Sequence, residues 1–583
     1  MPTGKRKHDM FDFIFDPETN GIVLREAEKP LRREIRPVYC HELDMLGLKD
    51  RWRYPSDDSA PLMWAVNNIY FYKGRKVMKI TGGSCRAAPD VTVLETPEPA
   101  GVQLTPCDIA RMCDKNAALL ERLQAESVKF VQRTYEDYKN RVDVFSVAFS
   151  GGKDSIAARD IVQRALPHNA FYVIFGDTQM EFPDTYTLVD KVEKRCRAAG
   201  IDFIRAKSES APADTWREFG PPAEVRRWCC SVHKTAPQIL ALRQITGKAD
   251  FTGMAFCGVR HAESVRRSTY KPVTPSAKHK GQIAAHPIID WSSAEVYLYI
   301  YAYHLPMNDA YKKANRRAGC LVCPMAGGSR DWITDMDYPE AVKPFRAVIA
   351  DMYAQHYTGA ELEHYITEGW KYRKDGRDLS LEPGYAEYRK DGALYIVVSG
   401  PKTPWAEWIK TIGILLSNKS PYRILFRGNV YTFEIEETKQ GYRVKTAEKN
   451  RVFLKYLKHV FRRAACCIGC HECEADCHQG CITMHNGHIK ISDDCRHCAE
   501  CHKADDGCLR YKSIVKAKVK DAECCKCGAV VDYNVIGLNK RLIGRGTRRF
   551  MCLHCLAGFF GTTESALQHK IDEFRDDGCP LFK

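Results

Sequence analysis

Between residues 141 and 330, short β-branched or aromatic runs alternate with stretches that can be helical. The runs are "VFSVAFS", "AFYVIFGDT", "IDFIRAK" and "ADFTGMAF", an alternation that predicts a parallel α/β sheet. Ser292 and Glu295 in "WSSAEVYLYI" form a capping-box pattern that opens a later helix of the same segment. Upstream, residues 1–104 read as a β-rich module in which "NNIYFYKGRKVMKITGG" is a hairpin turning at Lys73-Gly74. Thr105, Pro106 and Asp108 mark a helix start, and the leucine-rich stretch through Tyr138 predicts one connecting helix over 105–140. Residues 331–419 are mixed and aromatic, with no dominant period. Over 420–465, "YRILFRGNVYTFEI" and "TKQGYRVKT" predict strands around Gly-containing turns, and "EKNRVFLKYLKHVFRRAA" predicts a basic helix. Cysteine-rich segments at 466–515 and 520–583 complete the chain, with no low-complexity tract and no repeat beyond paired cysteine groups.

A length of 583 residues fits roughly three to five domains. With 44% hydrophobic and 28% charged residues, the chain can bury a sizeable core and global disorder is excluded. Of 26 cysteines, 16 follow residue 465, mostly at C-x2-C spacing, which points to metal rather than disulfides. The N-terminal "MPTGKRKHDMFDFIF" has no apolar h-region with a cleavage site, and no run of about 18 apolar residues occurs. A reducing cytoplasm and no membrane contact are therefore expected. The formal charge of +15 falls to about +7 if four four-cysteine sites carry about −2 each. That balance permits a nucleic-acid or nucleotide partner without requiring one.

The sequence "SGGKDS", Ser150, Gly151, Gly152, Lys153, Asp154 and Ser155, leaves the first run and opens a helix. Small residues let backbone N–H groups and a helix N-terminus surround a phosphate, and Lys153 adds positive charge. The Walker pattern is absent. The loop resembles the PP-loop of ATP pyrophosphatases, which cut between the α- and β-phosphates. With "FGDTQMEFPDTYTLV", "GVRHAESVRRS", "HPIIDWSSAEVYLYI" and "LPMNDAYKKANRRAGCLVCP", the segment resembles the phosphoadenosine phosphosulfate (PAPS) reductase family. The resemblance implies an adenine-nucleotide site at the carboxyl ends of the strands. There the six loop residues would hold phosphate, and Asp177 and Glu181 would contact ribose, metal or water unless they only end the strand and cap a helix. Arg260 and Arg267 would neutralise phosphate or sulfate oxygens, oriented by Glu263. Lys153, Asp154 and Asp177 are the candidate catalytic groups.

Cys229-Cys230 and the later pair Cys320 and Cys323 resemble the 4Fe-4S ligand pattern of adenylyl-sulfate (APS) reductases; free thiols or zinc are the alternatives. The C-terminal "ECG(I/L)H" segment that carries the nucleophile in such reductases is absent, which leaves Cys579 in "DDGCPLFK" as the substitute candidate. The spacing of Cys467, Cys470, Cys473 and Cys477, then Cys495, Cys498, Cys501 and Cys508, resembles a two-cluster bacterial ferredoxin. In that pattern Cys508 completes the first site and Cys477 the second, with Cys466 or Cys481 spare or an alternative ligand. Cys524, Cys527, Cys552 and Cys555 have zinc-ribbon spacing with a hairpin expected between the pairs. Lys540, Arg541, Arg545, Arg548 and Arg549, with Lys455, Lys458, Arg462 and Arg463 of the basic helix, are candidate contacts to nucleic acid or an acidic partner.

Three functions are compatible with this pattern. The first is ATP-dependent sulfur transfer, with AMP and pyrophosphate as products, in the manner of DNA phosphorothioation or tRNA thiolation enzymes. It uses ATP with Mg2+, 4Fe-4S clusters, Zn2+, a sulfur donor and an electron donor. The second is an APS or PAPS reductase releasing sulfite from an adenylyl sulfate. The third is a non-catalytic redox or nucleotide sensor.

Overall fold

The computed structural model describes residues 11–27, 33–275, 281–376, 379–485, 487–502, 506–515, 522–544, 547, 549–576, 579 and 581–582. The four apolar runs become the strands Val144–Phe149, Tyr172–Asp177, Asp202–Lys207 and Gly253–Cys257. With Gln282–Ala285 and Val273–Pro275 they form one six-stranded sheet. From one edge the order is 202–207, 172–177, 144–149, 253–257, 282–285 and 273–275, and only the last joins antiparallel. Strand Val144–Phe149 lies at the centre, with the chain continuing first to one side of it and later to the other. Its carboxyl end is the topological switch point, where open α/β sheets form a ligand crevice.

Val147, Phe149, Val173, Phe175, Met254 and Phe256 bury this sheet against Ile156, Ile161, Leu188 and Leu298 of the flanking helices. The long helix Ile109–Tyr138 crosses the same core and is capped by Asp108, which accepts from Arg111 N at 3.0 Å. Buried Asn116 joins it to the hairpin of Phe11–Asp16 and Gly21–Glu26, accepting from Leu24 N and donating to Ile22 O. The N-terminal module also holds a five-stranded antiparallel sheet, whose hairpin turns at Lys73 and Gly74 with positive φ at both. The capping box forms: Ser292 Oγ accepts from Glu295 N, and the Glu295 carboxylate accepts from Ser292 N.

The patternless stretch after residue 330 supplies three helices, Gly328–Asp337, Pro339–Tyr353 and Gly359–Thr367. The apolar sides of the second and third meet Trp216, Trp228 and Trp370, while Trp332 and Ile333 of the first pack with Ala314. A second, antiparallel six-stranded sheet runs from Tyr385 to Thr446. Strand Ala393–Ser399 pairs with Gly441–Thr446, so the boundary expected at 419/420 cuts through one sheet rather than between two units. In the C-terminal segment a helix, Tyr533–Leu542, replaces the expected hairpin. Asp532 caps it by accepting from Val535 N, a local signal that the cysteine spacing obscured. Among the described residues no helix is long and apolar enough to cross a membrane.

Arginines join the sheet domain to the ferredoxin-like segment. Arg243 donates to Glu474 O, Ala475 O and Cys477 O at 2.6–2.9 Å, taking up carbonyls at the end of the short helix Glu472–Asp476. Arg226 donates to Val515 O, Arg373 to Ser513 O, and Arg510 to Glu218 O. Substituting Arg243→Ala strands three carbonyls, at about 1–3 kcal/mol for each buried acceptor left unpaired. Amide exchange over 472–480 is expected to accelerate while the strand Val144–Phe149 stays protected. Unchanged exchange over 472–480 would show that the clamp does not hold the two segments together.

Candidate active site

The loop after the central strand is bent by Gly151, with φ of 70° and space so tight that a Cβ would lie 2.8 Å from Thr185 Cγ2. Asn308 holds it, donating to Gly151 O at 3.1 Å. Ser155 Oγ donates back to Gly152 O at 2.8 Å and accepts from Ser150 N, so the two serines fasten the loop to the helix Lys153–Ala165. Gly258, at the end of the neighbouring strand, lets it approach: a Cβ there would fall 2.4 Å from Asp154 O.

Lys153 and Arg260 share one carboxylate. Asp154 Oδ2 accepts from Lys153 Nζ at 2.8 Å and Oδ1 from Arg260 Nε at 2.6 Å. Burial alone would raise the Asp154 pKa, but the two cations outweigh it and hold the group below its ordinary value. Arg260 is fully buried, and its outer nitrogens pair with Glu34 of the N-terminal module at 3.0 and 3.1 Å. Arg260 thus positions the loop rather than lying free for an anion. Arg267 pairs with Glu263, which also accepts from Arg260 N.

These groups line a cavity of about 420 Å³, within the roughly 300–1,000 Å³ range of small-molecule sites. Ser150, Gly152, Lys153, Asp154, Ser155, Glu181, Arg260 and Arg267 all reach it. Gly151 shapes the turn without lining the cavity. Asp177 does not line it either: its Oδ1 accepts from Gln179 N and Tyr186 Oη, the strand-end turn that was the alternative to a catalytic role. Lys234, Arg316 and Arg317 add positive charge that the sequence motifs did not single out, and Tyr311 accepts from Lys153 N at 3.0 Å. With Lys153, Arg260 and Arg267 they outnumber the four lining carboxylates of Glu34, Asp154, Glu181 and Glu263, which suits a polyanion.

Cys320 also lines the cavity. A backbone bridge between Glu181 and Cys320, with Leu321 N donating to Met180 O, pins the second cysteine pair to the end of strand Tyr172–Asp177. Cys229 hydrogen-bonds to Cys230 and lies within electrostatic reach of Cys320 and Cys323. That bond, burial and the neighbouring thiols push Cys229 well above the ordinary thiol range. Four thiols so gathered cannot all ionise without a cation among them, and this donor set fits a thiolate-ligated cluster.

The ferredoxin-like cysteines separate into two groups. Cys467, Cys470, Cys473 and Cys508 wall one cavity, which Cys501 also lines. Cys477 lies within electrostatic reach of Cys495 and Cys501, and Cys498 of Cys495. Cys508 thus lies with the first three cysteines and Cys477 near the second set, while Cys501 is also within reach of Cys473. Cys466 lines the first cavity but donates its thiol to Pro383 O at 3.0 Å, and Cys481 donates to Gln479 O. One apolar cluster contains Met180 and Trp228, with Cys229, Cys320, Ile468, Cys470 and Leu509 packed against it, so the first group abuts the internal cysteines. The Sγ atoms of Cys524, Cys527, Cys552 and Cys555 all lie within 4.8 Å of one another, close to the roughly 3.8 Å edge of a tetrahedral thiolate site with 2.3 Å bonds. Among the described residues this is the one cysteine group with single-ion spacing.

Two expectations are corrected. Cys579 packs against the core of the C-terminal segment beside Phe574 and Leu581, and does not line the cavity. The basic helix Arg451–Cys466 turns three of its five Lys and Arg residues inward: Lys458 and Arg462 pair with Glu387, and Arg463 is buried, leaving Arg451 and Lys455 exposed. Arg541 and Arg549 are exposed, while Arg545 and Arg548 lie outside the described residues.

Residues 144–326 match the family model described as the phosphoadenosine phosphosulfate reductase domain. Two uncharacterized proteins of Methanocaldococcus jannaschii are 32% identical over 267 residues (45% of this chain) and 30% over 226 residues (39%). Each match spans 52% of the relative, so the chain covers about half the length of these relatives. The adenosine 5'-phosphosulfate reductase of Halalkalibacterium halodurans is 26% identical over 210 residues, 36% of this chain and 83% of that protein. Among solved structures, the PAPS reductase of Candida auris in a phosphate complex aligns with 34% of this chain and 93% of its own, at 18% identity and a TM-score of 0.26. The matched residues 144–326 thus include every residue lining the cavity except Glu34, and both internal cysteine pairs, and leave the flanking modules outside the match.

Asp154→Asn would leave Lys153 and Arg260 facing each other without a counter-charge. It is expected to cost about 3–5 kcal/mol in denaturant unfolding; a loss below about 1 kcal/mol would show that the shared carboxylate does not hold the loop. Cys320→Ser is expected to lower iron content by about four atoms per chain, and unchanged iron would contradict an internal cluster.

Proposed function

We propose that the chain couples AMP-forming ATP chemistry to sulfur transfer onto a nucleic acid, using its own cysteine-bound clusters as the source of electrons. The observation that carries this reading is the meeting of an intact S-G-G-K-D-S loop with Cys320 in one cavity. In this reading the helix N-terminus at Lys153 and the Lys153 ammonium hold the phosphates of ATP. Lys234, Arg267, Arg316 and Arg317 offset their charge. An acceptor oxygen attacks the α-phosphorus and pyrophosphate leaves. A persulfide sulfur from a donor protein, reduced by two electrons to hydrosulfide, then displaces AMP at the acceptor.

Three cysteine sets would hold 4Fe-4S clusters: 229, 230, 320 and 323; 467, 470, 473 and 508; and 477, 495, 498 and 501. When bound, these supply single electrons. Cys524, Cys527, Cys552 and Cys555 would hold Zn2+. Thiolate sites of this kind are kept in a reducing cytoplasm. The nucleic-acid acceptor is supported by exposed Arg316 and Arg317 at the cavity, and less by the basic helix, whose cations are mostly paired internally.

A second reading, APS or PAPS reduction with release of sulfite, is favoured by the likeness to adenosine 5'-phosphosulfate reductases and by the thiol facing the cavity. The seat of Cys579 in the C-terminal core counts against it as the mobile nucleophile.

Anaerobic protein offered labelled ATP, with and without DNA or RNA, or labelled APS and PAPS, separates the two readings. Pyrophosphate from ATP, stimulated by nucleic acid, is the expected result. Lys153→Ala should lower it by about 10²–10³-fold with iron content unchanged. Sulfite from an adenylyl sulfate without pyrophosphate from ATP would replace the first reading by the second.

A further inference from the structure

Cys85 belongs to the N-terminal module, outside the matched residues 144–326, and lies in a partly exposed loop after the strand Arg75–Thr81. Two contacts dock that loop on the helices that follow residue 327. Gly328 backs onto Gly83, so closely that a Cβ would fall 2.4 Å from Gly83 O, and Arg86 Nη2 donates to Thr367 Oγ1 at 3.3 Å. Cys85 thereby lines a second cavity, of about 40 Å³, together with Cys323. The turn 320–323 thus borders the larger cavity at Cys320 and this smaller one at Cys323. The smaller one has room for a few water-sized groups but not for a nucleotide. Val342, Phe345 and Ile349 supply apolar walls, and buried Lys371, paired with Asp331, adds a cation. One donor is left over: Thr334 is 6% exposed, and its hydroxyl has no hydrogen-bond partner among the described residues. A buried hydroxyl without a partner is costly, so it calls for a small acceptor in the cavity. The outer sulfur of a persulfide on Cys85 is such an acceptor.

We propose that Cys85 is the sulfur-loading residue of this chain, taking a sulfane sulfur from a donor persulfide and holding it as a persulfide in the cavity it shares with Cys323. In that step the Cys85 sulfur attacks the outer sulfur of the donor. A new S–S bond forms as the donor's S–S bond breaks, the donor leaves as a thiol with the proton that Cys85 gives up, and no electron is consumed. Burial, with Asp331, Glu368 and Asp335 nearby, pushes the Cys85 thiol above its ordinary value, so a base must first take that proton. Asp331, itself raised by burial, lines the same cavity and supplies one. The Thr334 hydroxyl then donates to the sulfur that Cys85 has gained. The use of that sulfur rests on the sulfur-transfer reading above.

The test is anaerobic labelling of the full chain with glutathione persulfide that carries a radioactive sulfane sulfur, followed by alkylation and peptide mapping. The Cys85 peptide is expected to hold at least about tenfold more label than the Cys113 peptide, whose thiol is also only partly exposed on the long helix Ile109–Tyr138. Thr334→Val, which keeps the shape and removes the hydroxyl, should shed the Cys85 label at least about threefold faster, with iron content unchanged. Equal label on Cys85 and Cys113, or an unchanged rate of loss in Thr334→Val, would overturn the proposal. Pyrophosphate release from ATP on the same preparation judges the sulfur-transfer reading separately. Release without preferential label on Cys85 overturns this inference and leaves that reading intact. Preferential label on Cys85 without release upholds the loading site and counts against the reading.

Discussion

The pairing of Glu181 with Cys320 is the contact on which the site depends. One short backbone bridge fixes the second cysteine pair at the end of a central strand, across from the loop that begins at Ser150. Without it the loop would face a cavity of ordinary polar groups, and the cysteines would form a separate structural site. With it, the same cavity is bounded by the N-terminus of the helix Lys153–Ala165 and by a thiol that belongs to a group of four. The ferredoxin-like segment packs behind those thiols through Ile468 and Cys470, so the cavity, the internal cysteines and the first cysteine group follow one another in space.

Five arginines of this chain are used to hold its parts together. Arg226, Arg243, Arg373, Arg463 and Arg510 donate to backbone carbonyls across segment boundaries or within the cysteine module. A guanidinium suits this role because its planar fork reaches several acceptors at once and remains charged when buried. A net charge read from composition therefore overstates the surface available to a polyanion. The cations that bear on a phosphate are the few lining the cavity.

The sheet was legible because its strands are short, apolar and separated by helical lengths, and the long helix because Asp108 caps it. The loop and the cysteine pairs were legible as local spacings. What escaped was whatever depends on distant segments meeting. Glu34 reaches Arg260 across 226 positions of chain, and nothing local marks it. Lys234 and Arg317 were visible only as charges beside cysteines. Asp177 looked functional because it ends a strand at the crevice, yet its carboxylate serves the turn. The hairpin expected between Cys527 and Cys552 gave way to a helix because Asp532 offers a cap.

The most direct test of the link between nucleotide and cysteine chemistry is spectroscopic. Reduced anaerobic protein would be compared by electron paramagnetic resonance with and without saturating ATP. If Cys320 serves both the cavity and an internal cluster, nucleotide should change the line shape of the one signal that Cys320→Ser removes, and leave the ferredoxin-like signals as they were. Identical spectra with and without bound nucleotide would contradict a shared site.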